Sequence, residues 1–287
     1  MLSLGDALRN LDLDPATIIV MRHRPTEQAL RDALPYLAAE RPDVYNAYQC
    51  VQGEKAEKSL SQATHLVSTI GTEAGVALFA GLYAVSGFNE MLSKTWRGLT
   101  TSQELLALGD RGPSRETILH FDLQLLPQLA DMRGRLLLGW PPPERSWWRR
   151  AHRNVFPVEA VYRQSAFVEQ MPDWRDLVLP HHRLQSLPTT WQATLSQWRG
   201  IYVIVDQSSG QQYVGSAYGS ENILARWRQY ASSGHGGNVG LRGREAVEFH
   251  FAILERVSPD MPAEEVIRLE ATWKKRLGTR EFGLNAN

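Results

Sequence analysis

Apolar and polar positions over the first 160 residues fall into many short runs with few long helical periods. The stretch ATIIVMRHR, from Ala16 to Arg24, is continuous and β-branched, which predicts a strand. TEQALRDALPYLAAE after it has helical spacing and predicts a short helix interrupted at Pro35. Two apolar runs around GTEAG predict a hairpin near residues 65–88. HFDLQLLPQL, GRLLLGW and FPVEAVYRQ predict three more strands. Between them, PPPERSWWRRAHRN is too rich in Pro and Arg for a strand or a helix interior. Many strands and few helices point to an α+β domain over 1–165, built on a curved sheet or small barrel.

Prolines at 172, 180 and 188 then punctuate the chain, so 166–197 reads as a connector with a short helix near Pro188–Thr189. From 198 to 287 the pattern tightens. GIYVIVD reads as a strand buried on both faces, QSSG as a turn, and QQYVGS as the antiparallel return. Ile223, Trp227 and Tyr230 then recur at helical spacing behind an expected cap at Ser220. VEFHFAILERV reads as a third strand. A last helix, capped near Asp260, carries Val266, Leu269, Trp273 and Leu277 and ends at Gly278. Glu270 lies one position off that stripe, where a carboxylate can look at the sheet.

Composition narrows the classes. The 287 residues hold 31 Lys+Arg against 31 Asp+Glu, which excludes the uniform basic excess of a nucleic-acid coat protein. The lone cysteine, Cys50, excludes an intramolecular disulfide and a cysteine-cluster metal site, and the adjacent His181 and His182 lack ordinary chelating spacing. MLSLGDALRNLDLD lacks the start of a signal peptide, and no run reaches membrane-spanning length, so a cytoplasmic protein is expected. Charge is locally uneven: Arg145, Arg149, Arg150 and Arg153 crowd around Trp147 and Trp148 with only Glu144 opposing.

Two tyrosines on adjacent strands, each beside a glycine, are the pattern that asks for chemistry. Gly200-Ile201-Tyr202 and Tyr213-Val214-Gly215, followed by Arg226 in a helix, Glu270 in a later helix and Asn285 near the end, resemble the GIY-YIG nuclease family in order and element. The resemblance covers about the last third of the chain, with valine where the second tripeptide usually has isoleucine; YVGSAYG, followed by RW and then YASSGHGGN, further resembles a bacterial, restriction-endonuclease-like subgroup. It implies an α/β domain with a small central antiparallel sheet flanked by helices, and hydrolysis of phosphodiester bonds with one Mg²⁺ or Mn²⁺ per active site. The implied roles are Tyr202 as base or water-positioner, Tyr213 as phosphate or water ligand, Arg226 as phosphate partner, Tyr230 as auxiliary, Asn285 as support and Glu270 as metal ligand.

The chemistry is consistent with those residue types. One carboxylate suffices for a hydrated magnesium ion, and a guanidinium fork matches a phosphate. A tyrosine of ordinary pKa, about 10, is a weak base at neutral pH, so its role depends on its surroundings. Taken singly, each residue also has a plain structural reading: packing tyrosines, a surface arginine, and Glu270 paired with Lys274 four residues on. His235 and Asn238, in a glycine-rich loop, suit either phosphate binding or a turn.

The resemblance makes DNA the expected partner, and a homodimer is expected for cutting both strands. Trp147 and Trp148 with Arg149, Arg150 and Arg153 have the composition of a stacking platform with phosphate anchors. FAGLYAVSGF, around Tyr83, resembles a strand of small PUA-like barrels that bind nucleic acid. The expected protein is thus a metal-dependent DNA endonuclease of restriction or phage-defence type, with residues 1–165 recognising the target. The alternatives are a structure-specific repair or recombination nuclease and a non-catalytic nucleic-acid-binding protein.

Overall fold

The computed structural model describes residues 2–220 and 222–286. The chain divides into two compact units, the first ending at Val168 and the second beginning at Glu169.

In the first unit, α1 (Leu4–Arg9), β1 (Ile18–His23), α2 (Gln28–Glu40), α3 (Pro42–Gln49), α4 (Glu54–Leu60), β2 (His65–Ile70) and β3 (Val76–Leu92) follow in order. Then come α5 (Ser93–Arg97), α6 (Thr100–Ala107), β4 (Thr117–Leu125), β5 (Leu136–Gly139), β6 (Trp148–Arg150) and β7 (Val158–Val161). Among the described residues the strands form one seven-stranded sheet along the path β6-β1-β2-β3-β5-β7, with β4 also on β3. β1 and β2 run parallel, and α2, α3 and α4 make the crossover that a parallel pair requires. Every residue of β1 is buried: Ile18 and Val20 join one core cluster and Ile19 and Met21 another, the two-residue alternation of a strand covered on both faces.

Three expectations for this unit change. The helix over 28–40 is not interrupted: Pro35 sits inside it, because Leu30, Ala33, Leu34, Leu37 and Ala38 bury a continuous stripe despite the missing N–H. PPPERSWWRRAHRN does contain a strand. Trp148–Arg150 pairs along β1, at the end of the sheet path, where a strand tolerates neighbouring prolines. Finally, the unit is not helix-poor. Helices of five to eight residues show too few turns for a clear period and are held by packing. The sheet follows an open path, with no strand pairing that joins β6 to β7 among the described residues.

The second unit holds β8 (Val178–Pro180), α7 (Thr189–Gln197), β9 (Arg199–Asp206), β10 (Gln212–Ala217), α8 (Asn222–Ser233), β11 (Phe249–Val257) and α9 (Ala263–Leu277). Its four strands are antiparallel in the order β10-β9-β11-β8. The stretch read as a connector contributes to this core: Leu177, Leu179, Leu184, Leu187, Trp191 and Leu195 cluster with Tyr202, Ile204, Trp227 and Phe251. Large apolar side chains of this kind contribute roughly 1.5–3 kcal/mol each on burial. The opposite face of β9 and β10 is closed by α9, with Val266 against Ile201 and Val214. That helix begins at Ala263 behind Pro262, not at Asp260, and Gly278 ends it at φ 62°. The expected cap at Ser220 adjoins Glu221, which lies outside the described residues. Among the described residues no helix is long and apolar enough to cross a membrane.

Candidate active site

The two glycines of the paired tripeptides are there for space. Gly200 faces the bulged part of β11, where any Cβ would collide with the Glu255 carbonyl oxygen. Gly215 sits opposite Tyr202 in the β9–β10 register, and a Cβ there would come within 2.5 Å of the tyrosine Cζ. The phenol ring therefore lies across the neighbouring strand only because position 215 has no side chain.

That placement brings three phenols together. The Tyr202 hydroxyl meets the Tyr230 hydroxyl at 2.9 Å. Asn238 Nδ2 donates to the Tyr230 oxygen at 2.8 Å, and Tyr213 Oη donates to Asn238 Oδ1 at 2.8 Å. Both Tyr202 and Tyr213 contact Tyr230 edge-on, with centroids 6.1 and 6.3 Å apart. Tyr202 and Tyr230 are fully buried and Tyr213 nearly so. Burial raises the pKa of Tyr202, and Arg226 offsets this only in part. Burial and the neighbouring phenols raise Tyr213 and Tyr230 further. At neutral pH all three are protonated, so Tyr202, the candidate base, keeps its proton in this arrangement.

Arg226, one turn before Tyr230 on α8, sets its guanidinium 6.0 Å from that ring and donates to Gln229 Oε1 at 2.7 Å. Its Nε is buried without a partner. Burial alone would lower its pKa, but the oxygens of Tyr202 and Tyr230 outweigh that and raise it. Arg228, two positions on, instead reaches Gln192 of α7 at 2.6 Å.

Glu270 accepts a hydrogen bond from Ser216 Oγ and pairs with Lys274 Nζ at 2.7 Å. Ser216 alternates to the α9 side of β10, away from Tyr213 and Gly215. The carboxylate and the phenol cluster are thus presented from two sides of a thin sheet edge. Glu270 is still near enough to add to the upward shifts of Tyr202 and Tyr213.

Asn285 takes a different place. Its amide accepts from Val214 N at 2.9 Å and donates to Val214 O at 2.8 Å, standing in for a strand partner on the outer edge of β10. His235 stays in its own turn, its Nδ1 accepting from Gly237 N at 2.9 Å. Asp206, a rival carboxylate by sequence, is used up elsewhere: Arg244 at 2.5 Å and the hydroxyls of Ser208 and Ser209 hold it. In the first unit, Trp147 is exposed, Trp148 packs into a core cluster, and Arg149 donates to the Pro143 carbonyl at 2.9 Å. Arg150 lies in β6, and Arg153 is exposed and bonds to His152 at 3.2 Å.

Residues 199–285 match the family model described as the GIY-YIG catalytic domain. They form a GIY-YIG catalytic domain. No curated protein matches the chain. Two solved structures are similar to part of it. One is a mutant of the catalytic domain of intron endonuclease I-TevI, 24% identical, covering 31% of this chain and 94% of that one with a TM-score of 0.27. The other is the catalytic domain of homing endonuclease I-TevI, 26% identical over 31% of this chain and 98% of that one, also with a TM-score of 0.27.

Residues 199–285 are thus an enzymatic domain of the GIY-YIG nuclease family, and such nucleases generally use divalent metal ions. The donor set here fits one hydrated ion and not a full protein cage. Among the described residues no three His, Cys, Asp or Glu side chains converge, and Glu270 is a carboxylate whose charge acts on Tyr202 and Tyr213. A carboxylate has about four lone-pair positions, so two remain beyond Ser216 and Lys274. The residue whose place in the GIY-YIG site sequence spacing underrated is Asn238. Its loop spacing shows nothing, and only the fold brings its amide between two tyrosines.

Proposed function

We propose that the chain is a metal-dependent DNA endonuclease of restriction or phage-defence type, with its first unit selecting the target. The observation that carries the catalytic part is the Tyr202–Tyr230–Asn238–Tyr213 chain of hydrogen bonds, with Arg226 and Glu270 beside it, inside a GIY-YIG domain. Arg226, half-buried with an unspent Nε, is suited to neutralise charge building on the scissile phosphate. Tyr202, held protonated, orients water or a phosphate oxygen by donating from Oη, and Tyr213 and Asn238 fix its direction through Tyr230. Since Tyr202 and Tyr230 are out of solvent contact, the glycine-rich loop bearing Asn238 has to shift before DNA reaches them. Glu270 would hold the ion, with Mg²⁺ or Mn²⁺ as the suitable species. When bound, the ion supplies positive charge and a more acidic water. Asn285 supports the site by keeping β10 in register.

The test is to incubate the full-length protein with modified and unmodified phage and plasmid DNA and Mg²⁺, and to map the ends. Cuts at discrete sites on linear duplex support the reading. Cuts confined to branched substrates would replace it with a structure-specific repair or recombination role. Sedimentation with and without DNA tests the proposed homodimer, and a strictly monomeric protein that accumulates nicked circles would remove it.

A further inference from the structure

The first unit contains a cavity of about 450 Å³ at the C-terminal end of β1, lined among others by Arg22, His23, Tyr48, Gln52, Arg145 and Trp147. That volume falls in the roughly 300–1,000 Å³ range of small-ligand sites. A second cavity of about 490 Å³ shares Gly53 and Trp147 with it and adds Lys55, Arg115 and Trp148. Together they make a basic, tryptophan-edged depression that ends at Arg22 and His23.

Two side chains at that end are buried and under-used. Arg22 is 2% exposed. Its Nη2 donates to the Glu73 carbonyl at 2.6 Å, its plane lies 5.7 Å from the Trp140 ring, and Glu144 is 3.6 Å from Nη1. Its Nε has no partner. His23 is 3% exposed; its Nε2 makes no close hydrogen bond, and Gln49 is the side chain that interacts with its ring. A buried polar atom without a partner is costly, so two such side chains lining one cavity call for a ligand that reaches them. Burial holds the His23 pKa down to about 4, so the ring is neutral and able to accept or donate. The backbone is built around the arginine: a Cβ on Gly71 would come within 2.7 Å of Arg22 Nε.

The wall chemistry defines the ligand. Arg22, Arg24 and Arg145 face a single acid, Glu144, which favours an anion or an acceptor-rich edge. Tyr48 and the 38%-exposed Trp147 offer aromatic faces. Aromatic faces beside guanidinium donors suit one nucleotide, its base stacked and its phosphate or base acceptors on the arginines. We infer that this cavity receives one nucleotide of the DNA target turned out of the duplex, with Trp147 stacking on the base and Arg22 reading its acceptor edge. The inference rests on the DNA-endonuclease reading and gives the first unit a means of selecting sites.

A mismatch scan tests it. Turning a base out requires unpairing, which is easiest where the base is mismatched. The protein in EDTA is titrated with duplexes spanning a bound site mapped by footprinting, independently of cleavage, each carrying one mismatch. The expected result is tighter binding, by about 5-fold or more, at one position, with the gain absent in Trp147→Ala and restored in Trp147→Phe. Loss of one stacked base should weaken Trp147→Ala on the matched site about 5- to 150-fold. Arg22→Lys, which keeps the charge but loses the fork, should lose preference for the base at that position. Mismatches that nowhere tighten binding, or a gain that survives Trp147→Ala, overturn the inference. Free deoxynucleoside monophosphates that bind by calorimetry with no mismatch effect overturn DNA as the source. Cleavage by wild type is scored separately: its failure sinks the nuclease reading, and the mismatch scan still decides the cavity.

Discussion

Replacing Gly215 with alanine probes the space that the active-site geometry depends on. The added Cβ would lie 2.5 Å from Tyr202 Cζ, whereas ordinary contact begins near 3.4 Å, so the ring has to retreat by about 0.9 Å. It has nowhere to go, because Tyr202 is fully buried and backed edge-on by Tyr230. Overpacking of this kind typically costs about 1–3 kcal/mol. A displacement near 1 Å of a positioning group can lower rate about 10²-fold. Gly215→Ala should therefore lose about 1–3 kcal/mol in urea denaturation and about two orders of magnitude in single-turnover cleavage. Gly219→Ala is the control: nothing lies within 4 Å of its added carbon, and both measurements should stay at wild type. If the two variants behave alike, the glycine is not reserving space for the phenol.

Three further outcomes follow from the site and its surroundings. Glu270→Gln should abolish cleavage in Mg²⁺ while leaving DNA affinity by fluorescence anisotropy nearly intact; wild-type cutting would remove Glu270 as metal ligand. Arg226→Ala should slow cleavage about 10²–10³-fold, the usual effect of losing a transition-state donor, whereas Arg228→Ala, spent on Gln192, should cost far less; equal rates would erase the distinction. Asp206 is pulled down from 3.8 to about 2: burial pushes the other way, but Ser208, Arg244 and Ser209 outweigh it. A depressed carboxylate stabilises the fold fully above the unfolded value and loses that contribution as pH falls from about 4 through 2, here roughly 2 kcal/mol. The stability gap between wild type and Asp206→Asn should shrink by that amount over this window, and a gap independent of pH would refute the assignment.

Sequence alone was enough for the elements whose pattern is local. Gly200-Ile201-Tyr202 and Tyr213-Val214-Gly215 are the two arms of one hairpin, Ile223, Trp227 and Tyr230 share a buried helix face, and Gly278 takes the left-handed cap. Strand alternation, helical spacing and a glycine stop act over a few residues, so they can be read without a fold. Tertiary structure decided the rest, because it depends on contacts between distant segments. The chain from 169 to 197, despite its prolines, joins the core of the second unit because Leu179 and Trp191 meet strands that follow them in sequence. Trp148–Arg150 becomes a strand only because β1 offers it a ladder. Asn238, spaced like a turn residue, ties Tyr213 to Tyr230, and Asn285 finds the edge of β10 across 71 positions. The protonation of the phenols was also beyond the sequence: burial and the guanidinium of Arg226 act on Tyr202 in opposite directions, and only their depth and distance in the folded domain show that burial prevails.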